Sequence, residues 1–210
     1  MKRLLIVGAG GFGREVAAWV DCAIDADWRL EGFLDPDPNA LDGREDRPPV
    51  VGDPATYAPG QDDVFACCMG DPAVRRSAVA NLVARGATFV ALVHPTAFVG
   101  PGCEIGVGSI LCQQVVLTTD VVLGDFVIVN VTATVGHDAR IGDYTTLSAH
   151  CDVTGRAAIG SDVFMGTHAA VLPSATVGNG ATVGASSVVL RRVESGTTVF
   201  GVPARRVPTS

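Results

Sequence analysis

The chain has 210 residues, 48% of them hydrophobic, and a formal net charge of −7. An acidic surface excludes the cationic face that nucleic-acid phosphates require. No apolar run approaches the ~20 residues of a membrane helix, and glycines at 8, 10 and 11 interrupt the stretch after Lys2-Arg3 too early for a secretory signal, so a cytoplasmic protein is expected.

Residues 2–7 read as a buried strand, Gly8-Ala9-Gly10-Gly11-Phe12-Gly13 as a glycine loop, and residues 14–24 as a helix with Val16, Trp19 and Val20 on one side. A strand over 30–34 ends in Asp35, and another over 64–69 ends in Gly70-Asp71. A helix over 72–85 and a strand over 88–92 follow, and this βαβ grammar predicts a parallel sheet with helices on its faces. Gly8, Gly10 and Gly13 satisfy G-x-G-x-x-G between strand and helix, with Glu31 and Asp35 downstream. Such a loop lets a phosphate approach the backbone, and a carboxylate at a strand end can accept from ribose or sugar hydroxyls. The same glycines also serve a tight turn with no ligand. At about 90 residues the unit is half a dinucleotide-binding fold and small for a dehydrogenase.

The grammar then changes. From Val93 to Val189 every sixth residue is aliphatic or methionine, seventeen positions without a slip. If about a third of positions were aliphatic at random, such a run would have a probability on the order of 10⁻⁸. Two residues before each lies a second series that runs from Ala91 through Ser109, Ala133 and Cys151 to Ser187, rich in small residues. Glycine often follows the aliphatic position, as at Gly100, Gly106, Gly136 and Gly142, where a corner is expected to need backbone angles that glycine reaches cheaply. Hexapeptide periodicity is the signature of a parallel β-helix with three units, or eighteen residues, per coil. The repeat spans about five coils. The expected organisation is an α/β half-Rossmann domain over 1–90, an all-β hexapeptide β-helix over 91–190 and a tail over 191–210.

Six cysteines lack CxxC spacing, and Cys103 and Cys151 fall on the small inward series, so they read as packing thiols rather than as nucleophile or zinc ligands. No metal site is expected. Of four histidines, His94, His150 and His168 suit structural or surface roles. His137 stands in mid-array and precedes Asp138, a carboxylate able to orient its ring and stabilise the imidazolium. Eighteen residues on lies Gly155, so one coil away no side chain is expected, leaving a notch for an acyl chain and a backbone N–H for a developing oxyanion.

The opening Ile6-Val7-Gly8-Ala9-Gly10-Gly11-Phe12-Gly13-Arg14-Glu15, the Phe33-Leu34-Asp35 strand end, the hexapeptide array and the closing Gly201-Val202-Pro203-Ala204-Arg205-Arg206 resemble the sialic-acid O-acetyltransferase and bacillosamine N-acetyltransferase group of bacterial sugar acyltransferases. The resemblance covers the whole chain. It implies a left-handed parallel β-helix, a homotrimer with active sites between subunits, and acetyl-CoA as donor. His137 matches the family's general base and Asp138 its acidic partner, while Asn130 matches an acceptor contact. Gly155 matches a backbone contact to the acetyl carbonyl, and Met165, Gly166 and Ala185 follow the pantetheine groove, with Arg191, Arg192 or the tail arginines near the CoA pyrophosphate. The glycine loop (Gly8, Gly10, Gly11, Phe12, Gly13) with Asp35, Gly70 and Asp71 would hold a nucleotide-linked sugar. The chain departs from the bacillosamine enzymes at Phe12 and Thr146, where they carry histidines; Thr146 is assigned to the acetyl-CoA side. The expected reaction is direct N-acetylation of a nucleotide-linked amino sugar. O-acetylation of a hydroxyl, a non-catalytic trimeric nucleotide-binding scaffold and an NAD-dependent oxidoreductase are the alternatives.

Overall fold

The first strand, β1 (Lys2–Val7), is apolar on both faces, and Leu4, Leu5, Ile6 and Val7 are fully buried. Such runs belong to sheets covered on both sides. The computed structural model describes residues 1–44 and 46–207, which divide into two compact units, Met1–His94 and Pro95–Ser210.

In the first unit β1 is followed by α1 (Gly11–Ala17), β2 (Trp28–Leu34), β3 (Val50–Gly52), β4 (Asp63–Cys67), α2 (Pro72–Val83) and β5 (Thr88–Phe89). The strands form one sheet in the order β3-β2-β1-β4-β5, parallel throughout. The chain winds outward to β3, then crosses back to β4, so the order reverses between β1 and β4. Three sequence expectations change. The first helix starts at Gly11 rather than 14, because Gly10 is its N-cap, and it ends at Ala17. Beyond Ala17, Trp28 Nε1 donates to the Val20 carbonyl at 3.4 Å and Asp21 accepts from Leu30 N, and the chain there forms a short 3₁₀ turn, Val20–Cys22. Strand β3 escapes periodicity because it is three residues long and follows two prolines, yet the Pro49 carbonyl accepts from Phe33 N at 2.9 Å. The predicted strand over 88–92 resolves into β5 and a separate pair, Leu92–Val93.

The second unit is a parallel β-helix of two-residue strands. One face stacks the strands Phe98–Val99, Val116–Leu117, Thr134–Val135, Asp152–Val153, Ala170–Val171 and Val188–Val189, and each step pairs residues eighteen apart. A second face holds six strands from Glu104–Ile105 to Arg192–Val193, so the column has six levels there, one more than the array length suggested. Pairing continues beyond Val189, where Val177 pairs with Val193 and, on the third face, Val183 with Val199 at a spacing shortened by two. The aliphatic series points inward: Leu111, Leu117, Val135, Leu147, Met165 and Val183 are fully buried. Polar members of the small series bond to the next level's backbone, as Ser109 Oγ does to the Gly124 carbonyl (2.9 Å) and Thr145 Oγ1 to the Gly160 carbonyl (2.7 Å). A buried hydroxyl is tolerated only on such terms.

The glycine after the aliphatic residue has a different cause from the one expected. The left-handed corner lies two residues later and is occupied by twelve non-glycine residues, among them Gln114, Asp138, Tyr144, Arg156 and Ser186. Each costs about 1 kcal/mol or more, and the stacked coils hold it in place. Glycine is required instead by close approach of the next coil: a Cβ on Gly106 would lie 2.2 Å from the Gly124 carbonyl oxygen, and one on Gly142 would lie 2.6 Å from Ser161 N. Gly142→Ala should therefore lower stability by about 1–3 kcal/mol, whereas Gln114→Gly, which removes left-handed strain at an exposed corner, should leave the melting temperature unchanged or raised. Thermal denaturation of the two variants checks the contrast.

Candidate active site

His137 and Asp138 occupy the corner between the strands Thr134–Val135 and Arg140–Ile141. Both backbones are pinned: Asp138 N donates to the Thr119 carbonyl (3.2 Å) and the His137 carbonyl accepts from Arg156 N (2.8 Å). Asp138 is left-handed at φ 60°, and His137 Nδ1 lies 2.8 Å from its Oδ2. With Nδ1–H donating to the carboxylate, the Nε2 lone pair is the ring's free basic site. Both side chains are about half exposed, at 50% and 56%, so the pair is reachable from solvent.

Gly155 lies one coil away, as the eighteen-residue spacing required, and its missing side chain is used by the imidazole itself. A Cβ there would stand 2.4 Å from His137 Nε2 and 2.7 Å from Cε1. The expected notch is thus a seat for the ring rather than an open slot. The Gly155 carbonyl accepts from Ser174 N at 3.1 Å, and among the described residues its amide donates to none.

Other predicted residues fall elsewhere on the column. Asn130 sits at the preceding corner, where Oδ1 accepts from Val131 N at 2.7 Å. Thr146 lies within a face and is buried, 4% exposed. Met165 points inward and is fully buried, so only its backbone is left for a contact, and its carbonyl accepts from Ser148 N. Gly166 is buried beneath exposed Ala185, whose amide a Cβ on Gly166 would meet at 2.6 Å. Asn130, Gly166 and Ala185 thus follow strands of one face, whereas His137 and Gly155 follow strands of the next. His150 and His168 stack at 4.6 Å on the former corner, both exposed. His94 packs edge-on against Trp19 at 5.0 Å, and burial pushes its pKa below the usual range. Cys151 is buried with Sγ 3.2 Å from the Gly166 carbonyl, and burial pushes the thiol up to about 12. A thiol of that kind is no nucleophile.

In the first unit Gly8 leaves β1 at φ 102°, and a Cβ on Gly13 would lie 1.9 Å from the Gly8 carbonyl oxygen, so the third glycine permits close helix–strand packing. Gly10 and Gly11 face open space, and Phe12 is half-buried beside them. Asp35 is committed to the loop: Oδ2 accepts from Ala9 N (2.8 Å) and Oδ1 from Asp37 N (3.0 Å). Asp71 caps α2 by accepting from Val74 N at 2.9 Å, beside exposed Gly70. Sequence reasoning missed two arginines here. Arg14 Nη1 donates back to the Ala9 carbonyl (3.0 Å), and fully buried Arg75 donates to the carbonyls of Met69 (2.6 Å) and Gly70 (3.2 Å). Arg75 shares the inward stripe of α2 with Val79 and Leu82, and a charge on an apolar stripe was the available signal. Among the described residues no His, Cys, Asp or Glu group is placed to hold a metal.

Gly155→Ala should change the melting temperature little, because the obstructed atom ends an exposed side chain, yet it should displace the His137 ring and shift its NMR resonances. Iodoacetamide should label exposed Cys22 in the native protein and leave Cys151 unmodified, which peptide mass analysis checks.

Residues 3–82 match the family model described as the PglD N-terminal domain. The acetyltransferase domain of PglB from Neisseria gonorrhoeae is 31% identical over 99% of this chain and 100% of that chain, with a TM-score of 0.87, and it has also been solved with acetyl coenzyme A. PerB from Caulobacter crescentus, solved with CoA and GDP-perosamine, is 28% identical over 99% of this chain and 98% of that one, with a TM-score of 0.88. WeeI from Acinetobacter baumannii is 28% identical over 99% and 100%, with a TM-score of 0.85. Comparison with curated protein sequences yields no significant match. Full-length likeness at this identity shows that the chain is an acyltransferase belonging to the hexapeptide-repeat sugar N-acetyltransferase family.

Proposed function

We propose that the protein transfers the acetyl group of acetyl-CoA directly to an amino group on a nucleotide-linked sugar, with His137 as general base. The observation that carries this reading is the His137 ring, braced by Asp138 at 2.8 Å and seated over Gly155 with Nε2 free. A sugar amine must shed a proton as it attacks the thioester carbonyl. Nε2 takes that proton, Asp138 stabilises the imidazolium, and the Gly155 N–H donates to the tetrahedral oxyanion. Collapse breaks the C–S bond, the amide forms, and the imidazolium returns the proton to the departing CoA thiolate. Relatives named as N-acetyltransferases of GDP-perosamine favour an amino over a hydroxyl nucleophile.

The nucleotide is assigned to the first unit, at the loop Gly8 to Gly13, where Gly10 and Gly11 present open backbone, and at Gly70, whose backbone also faces open space. Asp35 and Asp71 act there mainly by holding the loops, since their carboxylates already accept backbone N–H bonds. Gly166 and Ala185 are assigned to the pantetheine arm and Asn130 to the acceptor. They lie on a different corner of the column from His137, and a homotrimer that sets one copy's corner beside another's would complete the site. A cytoplasmic location suits acetyl-CoA, and no helix among the described residues is long and apolar enough to cross a membrane.

His137→Ala should keep the fold, the oligomer and acetyl-CoA binding while turnover falls about 10²–10⁴-fold. Thiol release from acetyl-CoA, assayed with nucleotide amino sugars and their hydroxy analogues, checks this; near-normal turnover in the variant would remove His137 from the chemistry.

A further inference from the structure

Helix α2 presents two faces. Arg75, Val79 and Leu82 are buried, while Ala73, Val74, Ser77, Ala78 and Asn81, at i, i+1, i+4, i+5 and i+8, line a pocket of about 530 Å³. Its opposite wall is the chain that leaves the carboxyl ends of the parallel strands: Pro36 after β2, Asp53 and Pro54 after β3, and Met69 after β4. Ligands of open parallel sheets bind outside those ends. Met69 also ties the pocket to the glycine loop, since its Cγ lies 3.5 Å from the place a Cβ would take on Gly8.

The wall is held in shape from behind. Arg85 donates through Nε to the Tyr57 carbonyl (3.1 Å), through Nη1 to that of Ala55 (2.9 Å) and through Nη2 to that of Pro54. One guanidinium thus gathers three carbonyls of the loop that follows Asp53. The pocket is otherwise apolar, and its polar side chains are Asp53, Ser77 and Asn81. Asp53 Oδ1 accepts from Ala55 N at 2.8 Å, which fixes the carboxylate, and among the described residues Oδ2 has no hydrogen-bond partner.

Resting on the nucleotide-linked acceptor proposed above, we infer that this pocket takes the nucleobase and that Asp53 selects guanine. A pocket of this volume and lining suits a flat, largely apolar ring. A carboxylate only accepts, so it pairs best with an edge that offers two adjacent donors. Guanine does so with N1–H and N2–H₂, and its O6 accepts from Ser77 or Asn81. Uracil and thymine offer one N–H flanked by two carbonyl oxygens, which a carboxylate repels. Adenine sets a lone pair beside its amino group.

Titration calorimetry of the full chain with GDP, IDP, UDP, dTDP and ADP, without acetyl-CoA, tests the assignment. GDP should bind about tenfold or more tighter than UDP, dTDP and ADP, and IDP, which lacks the N2 amino group, should fall between. Asp53→Asn, which retains the cap on Ala55 N, should weaken GDP about tenfold and narrow or reverse its advantage over UDP, with acetyl-CoA binding and melting temperature unchanged. Tighter binding of UDP or dTDP than GDP by the unaltered protein, or an unchanged GDP-to-UDP ratio in the variant, overturns it. Acetyl transfer to a UDP- or dTDP-linked amino sugar alongside such a result leaves the acetyltransferase reading standing and the base assignment refuted. Absence of binding by all five nucleotides, with no thiol release on any nucleotide sugar, refutes both.

Discussion

Strand-to-strand hydrogen bonding at a step of eighteen residues is the constraint from which the candidate site follows. Each level of the column donates to the next through pairs such as Gly136 N to the Val153 carbonyl and Thr154 N to the Val171 carbonyl. Residues eighteen apart are therefore neighbours, and a side chain that leans along the column meets whatever stands one level on. At most corners that neighbour is another side chain, as with Phe126 on Tyr144 (4.9 Å) and His150 on His168. At His137 it is a glycine, and the ring settles where a methyl group would otherwise be. The general base proposed for this position needs fixed placement more than burial, and a stack of short strands supplies that at a half-exposed corner.

The same rigidity explains why the corners tolerate left-handed residues that would be strained in a free loop. The amide of such a residue donates to the previous level, mostly to a carbonyl, as Asp138 does to Thr119 and Arg156 to His137, and at Gln114 to the Thr96 hydroxyl. Asp138 is thus held in an uncommon conformation whose consequence is chemical: its carboxylate turns back on the preceding imidazole. Strain at such a residue is tolerated when the surroundings over-determine it.

The first unit places its chemistry differently, at the ends of a parallel sheet. Several of its carboxylates and guanidiniums serve the backbone. Asp35 holds the glycine loop, Asp71 caps α2, and Arg75 and Arg85 collect carbonyls of the turns around them. Loops so braced leave the backbone at Gly10 and Gly11 facing open space, and among the described residues Asp53 Oδ2 on the pocket wall has no hydrogen-bond partner. Preorganised polar groups of this kind lower the cost of ordering on binding.

From residue order alone one could read the six-residue period, the eighteen-residue coil, the parallel sheet that precedes it, and the neighbourhood of His137 and Gly155. A strict repeat turns sequence spacing into spatial spacing by simple addition. That arithmetic ends at the backbone. Whether the glycine left a slot or seated the ring, why glycine follows the inward aliphatic residue, and which carboxylates were already occupied by amides depended on dihedral angles and on contacts between segments far apart in the chain. The three-residue strand β3, the clamp at Arg85 and the pocket beside α2 belong to that second class, because no local pattern records which loop a distant guanidinium will meet.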